Sequence, residues 1–285
     1  MTPAPTGRHP LVMGVLNVTP DSFSDGGLYE TVDLAVAHGA AMATEGADVI
    51  DVGGESSRPG AEPVPTGIEL ERVVPVIDAL AATPALISHG VRISVDTTKP
   101  DVATAAVAAG ATLINDISAS LYEVAAATGA GWVAMHMQGE PRTMQDDPHY
   151  DDVVDEVTAF VVGRTRLAHD AGVAEVWIDP GIGFGKTIGH NLSLLHHLPA
   201  LVDAAADADC AGVAVGTSRK RFLGLLGGGR APGDPDSGRE PALVAERLEA
   251  SLATAAAALT AGARMVRVHD VPATVQLTRL YGPAA

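Results

Sequence analysis

The sequence predicts an α/β fold, a single closed (β/α)8 barrel, on three observations. Eight short β-rich runs recur along the chain, at 11–19, 47–54, 91–98, 111–118, 131–138, 176–183, 212–218 and 265–271. Most of them are continuous stretches of Val, Ile, Leu and Met, the pattern of strands covered on both faces in a parallel sheet. Helical segments lie between them, and several end on the same stop signal.

The helical segments carry apolar residues at i, i+3 and i+4, as at 31–45, 67–81, 100–109 and 151–171. The pairs Glu45-Gly46, Ala109-Gly110, Ala171-Gly172 and Ala261-Gly262 each put a glycine where a left-handed cap precedes the next strand. Eight strands alternating with eight helices describe a closed barrel. A doubly wound open sheet is the alternative, but it usually has fewer strands, and no linker divides the chain. The expected organisation is a tail at 1–10 and a barrel domain at 11–285. The segment 227–240 (GGGRAPGDPDSGRE) reads as an exposed loop, followed by a long, Ala-rich helix at 242–261.

Composition narrows the function class. The chain has 285 residues, 47% of them apolar, enough for a substantial core. A formal charge of −17 argues against nucleic acid or an acidic membrane surface as partner. The single cysteine, Cys210, excludes an internal disulfide framework and reads as a small packed apolar group. No apolar segment in residues 1–10 reads as a secretory signal. The uncharged stretch at 250–263 falls short of the ~20 apolar residues a membrane span needs. A soluble cytoplasmic enzyme is the expectation.

In a parallel barrel the active site forms where strands end. Those ends carry Asn17, Glu55 to Arg58, Asp96, Asn115-Asp116, His136, Asp179, Ser218-Arg219-Lys220, and Arg267 with His269. All three lysines of the chain, Lys99, Lys186 and Lys220, also follow strand ends, which suggests an anionic ligand at one mouth. Asp96, Asp179 and Asn115 together suit a heterocycle with paired N–H donors and a carbonyl. Arg267 and His269 alternate, so they share a face, and Arg267 can hold phosphate in a bidentate fork. The run Ser218-Arg219-Lys220-Arg221 sits at a strand-to-helix junction that favours an anion. The glycine-rich loops after the first and second strands, 17–28 and 53–65, read as long mobile lids. The glycine run at 179–186 lacks the spacing of a nucleotide phosphate loop, and His190, His196 and His197 form no metal pattern. Nothing in the chain requires a covalent nucleophile.

Eight segments, in order, resemble those of the dihydropteroate synthase family of folate biosynthesis. They are MGVLNVTPDSFSDGG at 13–27, DVGGESSRPGA at 51–61, SVDT at 94–97, LINDIS at 113–118, MHMQGEPRTMQ at 135–145, IDPGIGFGKT at 178–187, GTSRKRFLG at 216–224 and RVHDV at 267–271. The resemblance runs over nearly the whole chain and implies the same TIM-barrel fold. It also implies the condensation of 6-hydroxymethyl-7,8-dihydropterin diphosphate with p-aminobenzoate, giving 7,8-dihydropteroate and pyrophosphate. By this resemblance Asp96, Asn115, Met135, Asp179, Phe184 and Lys220 bind the pterin. Asn17, Arg267 and His269 hold the diphosphate, Asn17 through Mg2+. Phe23, Ser57, Arg58, Pro59 and Ser218 build the p-aminobenzoate site. Asp21 and Asp25, on the first loop, join Asp96, Lys220 and Arg267 as the catalytic group.

A homodimer and competitive inhibition by sulfonamides are implied with them. Two departures stand out: Arg221 occupies a position where many members carry serine, and the loop at 227–240 is longer than usual. A methyltransferase that uses methyltetrahydrofolate shares the barrel and the pterin acids, but needs neither the diphosphate cluster nor GGESSRPG. A non-catalytic pterin-binding paralogue would carry damaged first or second loops, and both are intact.

Overall fold

The computed structural model describes residues 9–19, 28–58, 60–227 and 241–281. Its strands are β1 (Leu11–Asn17), β2 (Val49–Gly53), β3 (Arg92–Asp96), β4 (Leu113–Asp116), β5 (Gly131–Met135), β6 (Val176–Asp179), β7 (Gly212–Val215) and β8 (Met265–Val268). They pair in parallel in chain order, and β8 closes on β1, so the sheet is a barrel. Each falls inside the run expected of it.

Both faces of the sheet are covered, which is why the runs are continuously apolar. One set of alternating residues, including Met13, Val49, Leu113, Val133, Trp177, Ala214 and Met265, packs in the barrel interior. The other set, including Leu16, Ile50, Val95, Ile114 and Trp132, packs under the helices. Ile178, Val213 and Val215 do the same on the far side. At the amino end of the barrel, Arg92 grips Glu175 with two bonds of 2.7 and 2.9 Å, and Glu175 also accepts from the Trp177 indole at 2.7 Å.

The helices are more numerous than eight. They are α1 (Leu28–Glu45), α2 (Thr66–Ala81), α3 (Pro84–His89), α4 (Pro100–Ala108), α5 (Tyr122–Thr128), α6 (Val153–Ala171), α7 (Ile188–His196), α8 (Leu198–Asp207), α9 (Arg221–Gly227), α10 (Leu248–Thr260) and α11 (Val271–Thr278). Extra elements arise where proline restarts a helix: Pro84 opens α3, and Pro199 lies in the first turn of α8. The four expected stop glycines, Gly46, Gly110, Gly172 and Gly262, all have positive φ, between 98 and 121°.

The helix expected at 242–261 is shorter and begins at Leu248. The chain before it folds back on α9, because Ala242 N–H donates to the Gly224 carbonyl at 3.0 Å. The Arg247 guanidinium fixes that return by donating to the carbonyls of Ala242 and Arg219. Of the loop expected at 227–240, residues 228–240 lie outside the described residues. No described helix is long and apolar enough to cross a membrane.

Candidate active site

Register places the polar residues. Partners in a parallel pair share a face, and Val49, Leu113, Val133, Trp177 and Met265 face inward. Two residues further on are Asp51, Asn115, Met135, Asp179 and Arg267, one level higher inside the barrel. Asn17 pairs with Gly53, Gly53 with Asp96, and Asp96 with Asn115, so these form one row, with Asp51, the partner of Ser94, one step below it on the same inward face. The strands end on a ring of polar groups above an apolar floor.

Four of these groups form one network. Arg267 Nε donates to Asp51 Oδ2 at 2.6 Å, and its Nη2 donates to Asp96 Oδ2 at 2.6 Å. Asn115 Nδ2 donates to the same Asp51 oxygen at 2.9 Å. Burial raises the Asp96 carboxyl to a pKa of about 7. Arg267 offsets part of that shift, and the neighbouring charge of Asp51 adds to it. Burial opposes the charge on Arg267, but Asp51 and Asp96 outweigh it and hold the guanidinium protonated.

Asp179 and Lys220 face this network from β6 and the β7 loop. Burial raises the Asp179 carboxyl, against the pull of Lys220 and of the Gly181 N–H, which donates to its Oδ1 at 2.7 Å. Burial lowers Lys220 to about 8, with Asp179 opposing. The Lys220 ammonium donates to the Ile182 carbonyl and sits 4.5 Å over the Phe184 ring. Met135 is buried beside Asp179 as its register partner.

The loop after Asp179 lies directly on the segment after β5. Gly181 and Gly185 have φ of 66 and 59°, and a Cβ on them would sit 1.7 Å from the His136 carbonyl oxygen and 2.3 Å from that of Gln138. Only glycine satisfies both constraints. Lys186 is buried beneath this loop, its Nζ 2.9 Å from His136 Nδ1 and 3.0 Å from the Phe184 carbonyl. Burial lowers Lys186 to about 7 and His136 to about 3.

At the β7–β8 rim, Ser218 Oγ accepts from the His269 N–H at 3.1 Å and lies 3.1 Å from its Nδ1. Burial, then Arg267 and Arg219, lower His269 to about 4. Arg219, at a φ of 58°, pairs with Asp270. The helix here starts at Arg221, three residues after Ser218, and spans seven residues. Ser57 is half-buried and Arg58 exposed, on the loop after β2.

The expectation of one cationic mouth built from three lysines is corrected. Lys99 is held between the carboxylates of Glu55 and Glu69, and Lys186 is buried against His136; Lys220 faces the acids. Asp116, noted at a strand end, caps its own loop by accepting from Ser118, Ser120, Leu121 and Trp132. Asp21, Phe23, Asp25 and Pro59 lie outside the described residues.

Asn17 offers an amide oxygen to a hard cation. A Cβ on Gly53 would lie 3.8 Å from Asn17 Oδ1 and 3.7 Å from Asp96 Oδ2, so the missing side chain leaves a cradle between two oxygens. A magnesium ion with one or two protein oxygens and the rest from water and substrate phosphate fits that donor set.

Sequence reading missed Asp51. It sits mid-strand inside an apolar run, where only its register with Ser94, one level below Asp96, marks it as inward. A charged residue within a continuous apolar strand is the signal that could have found it.

The sequence matches the family described as pterin binding enzyme over residues 13–269. Dihydropteroate synthase of Escherichia coli (strain K12) is 44% identical over 95% of this chain and 90% of its own length. Among solved structures, Xanthomonas albilineans dihydropteroate synthase with 4-aminobenzoic acid is 46% identical with a TM-score of 0.81, covering 96% of this chain and 92% of that one. The Yersinia pestis dihydropteroate synthase in a sulfonamide drug complex is 41% identical with a TM-score of 0.82, covering 96% of both chains.

Proposed function

The chain belongs to the pterin binding enzyme family, among its dihydropteroate synthases, and from that premise we propose how its residues perform the reaction. The enzyme condenses 6-hydroxymethyl-7,8-dihydropterin diphosphate with p-aminobenzoate to 7,8-dihydropteroate and pyrophosphate. One observation carries the assignment of roles: Asp96 with Arg267 and Asp179 with Lys220 converge, as two acid–base pairs, on one barrel mouth.

The pterin edge presents N–H donors that two buried carboxylates and the Asn115 amide can meet, with Met135 and Phe184 against its faces. The methylene C–O bond to the diphosphate breaks, and the arylamine nitrogen forms the new C–N bond and releases a proton. The dihydropterin ring delocalises positive charge that develops as the leaving group departs. Asp96 and Asp179 favour that charge, while Arg267, Lys220 and His269 face the departing pyrophosphate. Asn17 would hold a magnesium ion, which when bound neutralises phosphate charge. An arylamine is neutral at pH 7, so positioning and electrostatics suffice without a nucleophilic side chain.

Ser57, Arg58 and Ser218, with Phe23 and Pro59, bind p-aminobenzoate in this reading, and Asp21 and Asp25 belong to the catalytic group. Sulfonamides would compete there, as the Yersinia pestis complex suggests. A cytoplasmic homodimer belongs to the same proposal; α10 supports it with the Ala-rich face that close helix approach needs. Equilibrium binding tests the reading. The product 7,8-dihydropteroate should bind and be displaced both by a pterin analogue and by p-aminobenzoate with pyrophosphate. Displacement by neither ligand would refute it.

A further inference from the structure

The Lys99 ammonium lies 2.5 Å from Glu55 Oε2 and also donates to Glu69 Oε2. Glu69 stands in the first turn of α2 with a fully buried side chain, and its second oxygen, Oε1, has no hydrogen-bond partner. A carboxylate removed from water in this way needs a fixed counter-charge, so Lys99 is not a loose surface cation. Its backbone is fixed as well: Lys99 N–H donates to Thr97 Oγ1 at 3.2 Å, and Pro100 opens α4 immediately after it.

Glu55 opens the loop after β2. Its Oε2 accepts from Lys99 and also from the Val64 N–H at 2.9 Å, so one oxygen closes the segment 55–64 on itself and ties it to the turn after β3. Arg72 Nη1 donates to the Gly54 carbonyl at 2.8 Å and fixes the start of the same loop. Between this anchor and the mouth lies a small cleft, with room for about one water molecule, lined by Glu55, Ser57, Glu69, Asp96 and Thr97. The anchored carboxylate and Ser57, which is expected to meet the arylamine, therefore border one space.

We propose that Lys99, held in place by buried Glu69, is a positioning residue that docks Glu55 and so fixes the loop presenting Ser57 and Arg58 to the arylamine substrate. The proposal rests on the dihydropteroate synthase reading. It assigns Lys99 no contact with the substrate, and Glu55→Gln separates the two substrates, because the pterin groups are held on their own strands and the Lys99–Glu69 pair next to Asp96 stays intact.

The test uses the full chain with Lys99→Met, Lys99→Arg and Glu55→Gln. Glu55→Gln leaves the Lys99–Glu69 pair intact, so it remains informative if Lys99→Met does not fold. The expected result is a rise of about tenfold in KM for p-aminobenzoate with Glu55→Gln and Lys99→Met, the loss of one charge-assisted contact. KM for the pterin diphosphate should stay near the wild-type value in Glu55→Gln, and Lys99→Arg should recover most of the effect of Lys99→Met. Amide hydrogen exchange reads the anchor without turnover: segment 55–64 should exchange faster in Glu55→Gln. Unchanged exchange there, or equal rises in both KM values, would overturn the proposal. Absence of product from the wild type would instead count against the function reading, while the exchange measurement still decides the anchor.

Discussion

Arg267 and Asp51 meet across β1, with the guanidinium Nε 2.6 Å from Asp51 Oδ2, so that β8 and β2 are joined inside the barrel without being neighbours in the sheet. The same Asp51 oxygen takes the Asn115 amide. One buried carboxylate thus orients two groups expected to touch different parts of a single substrate. Asp51→Ala should destabilise the protein by about 3 kcal/mol, the lower end for a broken buried pair, because Arg267 keeps Asp96. Thermal unfolding checks this, and pterin-analogue affinity should fall in the same variant. An unchanged Tm would mean that the contact contributes nothing to the fold.

Asp179→Asn replaces a two-acceptor carboxylate with a group that carries its own donors. A mismatched hydrogen bond in a buried site costs ~1–3 kcal/mol, or about tenfold and more in affinity. Calorimetric titration with a pterin analogue measures it. Wild-type affinity would remove Asp179 from the pterin site.

Asp96 links binding and stability to pH. Its carboxyl is raised from 3.8 to about 7, so between those values the folded protein carries a proton that the unfolded chain has lost. Its contribution to stability is full below 3.8 and disappears as pH rises through about 7. Asp96→Asn should therefore flatten this component of the stability profile, measured as denaturant midpoints across that window. Pterin affinity should run the opposite way in the wild type, strengthening as the carboxylate ionises near 7. A variant profile parallel to the wild type would show that Asp96 does not titrate there.

Substrate order follows from where the anion sits. Asn17, Arg267 and His269 are expected to share pyrophosphate with magnesium, and His269 Nδ1 lies 3.1 Å from Ser218 Oγ of the second subsite, so the anion and the arylamine share a wall. Pyrophosphate and magnesium should tighten p-aminobenzoate or a sulfonamide by 5–150-fold, a coupling of ~1–3 kcal/mol. Calorimetry with and without pyrophosphate and magnesium reads the difference. Equal affinities would mean that the second subsite is preformed.

The strands and their end residues were legible because the two-sided burial of a parallel barrel writes itself as apolar runs that stop at polar residues. Gly46, Gly110, Gly172 and Gly262 were legible for a similarly local reason, a positive φ that other residues adopt at a cost. What sequence could not give were partners far apart in the chain. The 216-residue separation between Arg267 and Asp51 has no local signal, and neither does the burial of Lys186 against His136. Lys99 illustrates the same limit. Its position after a strand suggested a cation for an anionic ligand at the mouth, whereas Glu69 on α2 neutralises it. The helix expected from 242 failed on a tertiary contact, the Arg247 guanidinium holding the preceding turn against α9.

The central claim is that this barrel mouth joins a pterin diphosphate to an arylamine. The direct measurement incubates the purified chain with 6-hydroxymethyl-7,8-dihydropterin diphosphate, p-aminobenzoate and magnesium, and follows 7,8-dihydropteroate and pyrophosphate together. The account predicts the two products in equal amounts, with dihydropteroate absent when p-aminobenzoate is omitted and strongly reduced in Asp179→Asn. No dihydropteroate from the wild type, or its undiminished formation by Asp179→Asn, would contradict it.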